Sequence, residues 1–341
     1  MKYVRKLPEV EELIRDFPLE KKDKQKREKV IGQLQKILSG DDARKIIIVG
    51  PCSADREDAV IEYVSRLCKL QEKVKEVFLI VPRVYTSKPR TNGMGYKGLL
   101  HRPNAEDGHD NILSGVIATR EMHQRVIKST GMFAADEMLY PEILSYISDL
   151  LAYVAVGARS VENQQHRLVA SGLEIPVGMK NPTSGNKNVM LNAILAAQNR
   201  QSFIYRGWEV KSEGNIYAHS ILRGYMDAAG KARPNYYYED ILELYDGYYK
   251  MNLANPSVII DCNHSNSNKH YDEQQRISEE IFSMCRRKKE IRKFIKGVMI
   301  ESYLVDGAQL VGGGIYGKSI TDACLGWEKT EKLILKLAEM M

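Results

Sequence analysis

Eight short apolar runs, most of them rich in β-branched residues, recur along the chain: IIIVG (46–50), VFLIVPRV (77–84), MFAADEM (132–138), YVAVGAR (153–159), IPVGMKN (175–181), AHSILRG (218–224), SVIIDCNH (257–264) and GVMIES (297–302). Runs of this kind, apolar at nearly every position, are what strands become when both faces are covered, as in a parallel sheet flanked by helices. Between most of them lie stretches with helical spacing. Val60, Ile61, Val64, Leu67 and Cys68 mark the first (57–72), and 141–151, 162–171, 187–198, 239–253, 272–288 and 327–340 are similar. Eight βα units in series predict one closed (β/α)8 barrel over residues 45–341. An open doubly wound sheet fits less well, because no GxGxxG follows the first strand.

Two segments fall outside that repeat. Residues 1–44 read as an N-terminal helical extension. Its charged run EKKDKQKREK leads into Val30, Ile31, Leu34, Ile37 and Leu38 on one helical face, and Gly40 stops the helix. Residues 203–219 are polar, aromatic and glycine-containing, and read as a β-hairpin inserted between barrel units. No apolar run reaches the roughly 18 residues that span a bilayer, and MKYVRKLPEVEEL lacks a signal-peptide core, so the expectation is a cytoplasmic enzyme with no membrane partner. Five cysteines at scattered spacings argue against a disulfide framework. A net charge of +6 suits anionic ligands and is too mild to single out nucleic acid.

In such a barrel the chemistry sits where strands end. Here the ends carry Cys52, Arg83, Glu137, Arg159, Lys180, Arg223, Asp261 with His264, and Glu301. One subset, Cys52, His264, Glu301 and Asp322, combines soft and hard donors that together suit a first-row divalent metal. Taken singly, each has a blander reading: a buried Cys is usually a small hydrophobe, and an Asp after Ser-Ile-Thr is usually a helix cap. A second subset, Arg90, Lys97, Arg159, Lys180 and Arg223, directs five cations at one mouth. Such a group is costly unless an anion compensates it, which points to phosphate- or carboxylate-bearing substrates. There is no Walker loop, no Ser-His-Asp elbow and no CxxC pair, and VGGGIYGKS (311–319) lacks phosphate-loop spacing and reads as a lid or a connection that delivers Asp322.

These motifs are similar to those of the type I 3-deoxy-D-arabino-heptulosonate 7-phosphate (DAHP) synthases, in the subclass regulated by phenylalanine, tyrosine or tryptophan. The resemblance rests on GPCS (50–53), KPRT (88–91), GYKGL (95–99), GARS with the following EN and QQHR (157–167), PVGMKN (176–181), ILRG (221–224), DCNHSNSNK (261–269), GVMIES (297–302) and YGKSITDACLGWE (316–328). It implies a metal-dependent, aldol-like condensation of phosphoenolpyruvate with erythrose 4-phosphate and water. It implies Cys52, His264, Glu301 and Asp322 as ligands of manganese, iron, cobalt or zinc. Phosphoenolpyruvate would meet Arg159, Lys180 and Arg223 through its phosphate and Arg90 and Lys97 near its carboxylate, with Glu137 orienting water or these cations. Erythrose 4-phosphate would meet Lys88, Pro89, Arg90, Thr91 and Asp261. Lys97, His264 and Cys52 form the implied catalytic set, with Lys97 as proton donor. Family members assemble as homodimers or homotetramers and bind an aromatic amino acid effector, here with Met138, Pro141, Glu142, Phe203 and Tyr205 as candidate lining residues.

Three rivals are distinguishable. The octulosonate 8-phosphate synthases share barrel and mechanism but take arabinose 5-phosphate, and KPRT with the long extension favours the heptulosonate enzyme. A pyruvate aldolase would need only one cationic clamp. A basic nucleic-acid-binding scaffold would spread its cations along an exposed stripe.

Overall fold

The structure, a computed structural model, describes residues 1–90 and 92–341. Eight parallel strands form its centre: β1 (Lys45–Gly50), β2 (Phe78–Pro82), β3 (Ala135–Glu137), β4 (Tyr153–Val156), β5 (Val177–Lys180), then, after the hairpin β6 (Gln201–Tyr205) and β7 (Trp208–Ser212), β8 (Ala218–Leu222). Beyond the small pair β9 (Tyr225–Met226) and β10 (Ala232–Arg233) come β11 (Val258–Asp261) and β12 (Ile295–Glu301). Their order is β2-β1-β12-β11-β8-β5-β4-β3. The two ends meet through a parallel bridge between Arg83 and Ala135, with the Val84 amide donating to the Ala135 carbonyl at 2.9 Å, so the sheet closes into a barrel. All eight anticipated strands are present. Seven are buried along their whole length, which is why their sequences read as unbroken apolar runs.

Helices α3 (Glu57–Val74), α4 (Ile112–Thr130), α5 (Pro141–Leu144), α6 (Gln164–Ser171), α7 (Lys187–Gln198), α8 (Tyr238–Lys250), α9 (Glu273–Arg287), α10 (Lys289–Phe294) and α11 (Trp327–Met340) follow the strands around the outside. The extension supplies α1 (Val10–Asp16) and α2 (Lys21–Ser39). Leu34, Ile37 and Leu38 of α2 are fully buried, and Arg27 donates to the Leu151 and Ser148 carbonyls at 2.7 and 2.8 Å, so this helix lies against the barrel body. Among the described residues, no helix is long and apolar enough to cross a membrane.

The structure corrects three local expectations. Helix α4 has no counterpart in the sequence reading, because its buried stripe includes Arg120, His123 and Gln124, which break the apolar period. Arg120 is held by Asp149 at 2.7 Å and by the Phe17 and Tyr146 carbonyls, and His123 sits 3.0 Å from Asp136. The stretch 141–151 is split into the single turn α5 and a 3-10 turn at Ser148–Leu150. The hairpin spans 201–212 and turns at Arg206–Gly207, both with positive φ as a two-residue turn demands, whereas Ala218 already belongs to barrel strand β8.

Candidate active site

The strand ends converge on one mouth, and local backbone design brings them there. Gly50, which ends β1, has the Arg83 carbonyl only 2.2 Å from where a Cβ would sit, so any other residue would push β2 away. Gly157 leaves the same kind of room for the Glu137 carboxylate, at 2.1 Å. His264, just beyond β11, has φ of 50°, an uncommon conformation for a non-glycine residue and one that recurs at functional sites.

Two chains of alternating charge cross this mouth. In the first, Lys180 lies 3.5 Å from Asp261, Asp261 lies 2.8 Å from His264, the other imidazole nitrogen of His264 lies 3.8 Å from Glu301, and Glu301 accepts from Arg83 at 2.9 Å. Asn263 adds a 2.6 Å bond to the second Glu301 oxygen. The contact between His264 Nδ1 and Asp261 is close, but its angles make no hydrogen bond, and burial lowers the His264 pKa in spite of Asp261 and Glu301. In the second chain Lys269 pairs with Asp322 at 2.9 Å, and the Lys88 ammonium bridges Asp322 at 3.0 Å and the Cys52 sulfur at 2.6 Å.

The chains meet at a donor cluster. Cys52, Glu301 and Asp322 each bring one ligand atom within 4.8 Å of the others. One thiol and two carboxylates, with His264 beside Glu301, form a donor set that fits a first-row divalent cation. Electrostatics agree. Burial opposes ionisation of Glu301, but Arg83, His264 and Lys88 outweigh it and hold the carboxylate below its usual range. Burial likewise opposes ionisation of Asp322, and Lys88 and Lys269 prevail. Burial and the Glu301 charge push the Cys52 thiol up to about 11, a cost that a bound metal would offset.

Arg159 and Arg223 line the same mouth, and neither forms an ion pair among the described residues. Burial lowers the Arg223 pKa, and Arg159 nearby adds to the effect. Arg90 joins them, its Nε donating to the Tyr96 carbonyl at 2.9 Å. Two adjacent guanidiniums with their forks free, backed by Lys180, form a cradle for a phosphate or carboxylate.

Similarity to known proteins agrees with this chemistry. Residues 18–335 match the model of the DAHP synthetase I family. The chain is 40% identical over 313 residues to the Phe-sensitive phospho-2-dehydro-3-deoxyheptonate aldolase of Escherichia coli K12, covering 89% of this chain and 86% of that one. It is 38% identical over 319 residues to the Trp-sensitive enzyme of E. coli O157:H7, covering 90% and 86%. The solved phospho-2-dehydro-3-deoxyheptonate aldolase of Francisella tularensis SCHU S4 superposes with a TM-score of 0.91 at 34% identity, over 100% of this chain and 98% of that one. The chain belongs to the DAHP synthetase I family.

Within this DAHP synthetase I fold, the mouth gathers most of the anticipated site residues: Cys52, Lys88, Pro89, Arg90, Glu137, Arg159, Lys180, Arg223, His264 and Asp322 line it. Glu301 and Asp261 stand behind them in the charge chain. Thr91 lies outside the described residues. Lys97 is not brought in. Its ammonium pairs with Asp110 at 2.7 Å, and with Arg102 it holds that carboxylate well below its usual range.

Sequence reasoning passed over Lys269 and Asn263 as functional residues, although both lie in the quoted DCNHSNSNK stretch and now touch Asp322 and Glu301. It also left Arg83 without a role, and the structure packs its guanidinium 3.8 Å above the Tyr85 ring and against Glu301. The anticipated effector residues split: Met138 is buried in the core, whereas Tyr205 of the hairpin donates to the Pro141 carbonyl at 2.7 Å and packs at a tilt to Phe203, ring centroids 6.4 Å apart. Arg206 reaches Glu9 and Glu11 of the extension at 3.7 Å, so hairpin, extension and the segment after β3 do adjoin.

Proposed function

We propose that this chain condenses phosphoenolpyruvate with erythrose 4-phosphate and water to give DAHP and inorganic phosphate, with Cys52, His264, Glu301 and Asp322 holding a divalent metal. The observation that carries the reading is the meeting of a sulfur-and-carboxylate donor cluster with an unneutralised guanidinium cradle in one mouth. When bound, the metal supplies Lewis-acid polarisation of the aldehyde oxygen. Manganese, iron, cobalt and zinc all suit these donors.

The chain's own residues do the rest. Arg159, Arg223 and Lys180 hold the phosphate and carboxylate of phosphoenolpyruvate, so that its C3 faces the aldehyde carbon of the sugar, whose phosphate is met by Arg90 and the adjoining KPRT loop. Carbon–carbon bond formation places negative charge on the former aldehyde oxygen and positive character on C2. Water adds at C2, losing a proton, and the C2–O bond to phosphate breaks. Holding both anions in register removes much of the barrier. Lys88 is the proton holder the geometry favours. Burial works against its ammonium, but Cys52, Asp322 and Glu301 overcome that and keep it protonated beside the donor cluster. Lys97, engaged with Asp110, is left to organise the loop. Glu137, against Gly157, is placed to orient the cradle or the water.

The same reading makes this a cytoplasmic enzyme, supported by five free cysteines. It assigns the barrel (45–341) to catalysis and the extension (1–44) with the hairpin to a homodimeric or homotetrameric interface and an aromatic amino acid pocket near Tyr205 and Pro141. Exposed Tyr3, Val4, Ile204 and Trp208 support an interface there. The deciding experiment follows ultraviolet loss of phosphoenolpyruvate in chelator-treated protein, with erythrose 4-phosphate or arabinose 5-phosphate, before and after adding manganese. Manganese-dependent loss with erythrose 4-phosphate alone is expected. Equal or greater loss with arabinose 5-phosphate would sink the substrate assignment, and rates indifferent to millimolar phenylalanine, tyrosine and tryptophan would sink the effector pocket.

A further inference from the structure

At the opposite end of the strands from the mouth, a cavity of about 770 Å³ opens between the start of β1, the start of β12, the end of α2 and the helices α8 to α10. The reaction does not use it. Lys45, Arg286, Arg287, Arg292, Lys293 and Lys296 line it. Among the described residues Asp42 is the one carboxylate on its walls, and Arg44 already holds it at 2.7 Å.

Two of these lysines are buried, each about 5% exposed, and they differ in what they touch. Lys45 donates to the carbonyls of Arg292 and Ile295, the latter at 2.7 Å, at the end of α10 where a helix favours a cation. Lys296 has no hydrogen bond or ion pair among the described residues. Its ammonium lies at the cavity wall, 3.6 Å from where a Cβ on Gly40 would sit. Burial and the charge of Lys45 bring its pKa down to about 8, while Asp41 works the other way without pairing with it. The stem of Lys296 is buried while its ammonium opens on the cavity with no protein partner among the described residues, so a bound anion would supply the contact it lacks.

The cavity also has an aromatic wall. Tyr245 and Tyr249 pack edge to face at 4.7 Å, Phe294 backs Tyr245 at 5.2 Å, and Tyr249 is 62% exposed. A flat exposed ring beside clustered cations suits a ligand that is anionic at one end and planar at the other.

We propose that this floor cavity is a second binding site, separate from the mouth, for a phosphate-bearing small molecule with a planar ring, of the nucleotide class. Its phosphates lie against Lys296 and the arginines of α9 and α10, and its ring lies against Tyr249. ATP is the probe, titrated calorimetrically into full-length chain carrying Arg159→Ala and Arg223→Ala, which silence the phosphate cradle of the mouth. One saturable site per chain is expected. Adding Lys296→Met should weaken binding by about tenfold or more with no fall in melting temperature, because a charge-assisted contact is lost and no protein partner is. Tyr249→Ala should weaken ATP but not inorganic pyrophosphate. No saturable ATP binding, or binding that Lys296→Met leaves unchanged, overturns the site. Pyrophosphate binding as tightly as ATP overturns the role given to the ring.

Discussion

The two ends of the barrel both bury ionisable groups, and Asp322, Glu301 and Lys88 at one end fare in the opposite way from His219, Lys45 and Lys296 at the other. At the mouth Glu301 has Arg83 at 2.9 Å and Asp322 has Lys88 at 3.0 Å, so Asp322 and Glu301 are held ionised and Lys88 protonated in spite of burial, while Arg223, without an ion pair among the described residues, is lowered by it. At the floor partners are missing or are only carbonyls and hydroxyls, and burial wins: His219 falls to about 4, and Lys45 and Lys296 fall to about 8. Burial alone therefore does not set the sign of a pKa shift; the balance between burial and the charges nearby does, and at His264 burial prevails in spite of Asp261. The consequence is a mouth whose charges stay fixed across neutral pH, ready for anions, and a floor whose stability is tied to pH.

The contrast breaks most visibly if a member of the mouth's charge chains is removed. Asp322→Ala removes a ligand of the proposed metal and leaves Lys88 and Lys269 without that carboxylate. The expected fall in kcat is about 10³-fold or more, since Lewis-acid stabilisation is worth several kcal/mol. Steady-state rates at saturating manganese, with circular dichroism to show an intact fold, check it. Next in size, Lys88→Met is expected to lower kcat by about 10²-fold or more, as loss of a positioned proton donor does. Lys97→Met should stay within about threefold, as expected for a partly exposed ion pair. If Lys97→Met proves the more damaging, the proton belongs with Lys97 and the mouth is wired differently.

That lysine pair also shows where sequence stops being informative. Lys88 and Lys97 stand on one irregular loop, and the Lys88 amide donates to the Lys97 carbonyl at 2.9 Å, so their backbones are neighbours while their side chains reach different acids. No period exists there to say which one turns inward. The strands were legible because double-sided burial writes itself as unbroken apolar runs, and the strand-end rule then pointed to Cys52, His264, Arg159, Lys180 and Arg223, which line one mouth, and to Glu301 behind them. Helix α4 was not legible because its core face carries Arg120 and His123, whose partners, Asp149 and Asp136, lie in other elements. The floor cations were hidden for a related reason. Lys45, Arg286 and Lys296 come from distant segments, and each alone reads as a solvated end of a strand or helix.

A third way to sharpen the contrast is pH. His219 is fully buried between the Tyr153 hydroxyl and the Tyr217 carbonyl, each at 2.8 Å. Burial lowers its pKa to about 4 from an ordinary 6.5, with Lys296 adding a little. The unfolded chain takes the proton first, so stability is fully present above about pH 6.5 and is lost as pH falls from there towards 4. The loss amounts to roughly 3 kcal/mol. Urea unfolding at steps through that window should show the slope in the native protein and a flatter line in His219→Gln. Parallel lines would mean that another group carries the acid limb.

The smallest expected effect is at Lys296, and its sign is the informative part. A lysine whose folded pKa is lowered to about 8 costs stability at neutral pH, and the cost disappears as pH rises from 8 towards the ordinary 10.5. Lys296→Met should therefore be more stable than the native protein at pH 7, by about 1 kcal/mol once residual solvation of the ammonium is allowed for. The two should converge at alkaline pH. This is the reverse of Asp322→Ala, where removing one charge leaves its partners uncompensated. If Lys296→Met is instead less stable at pH 7, then Lys296 has an effective partner, the floor resembles the mouth after all, and the contrast between the two ends fails at the residue chosen to test it.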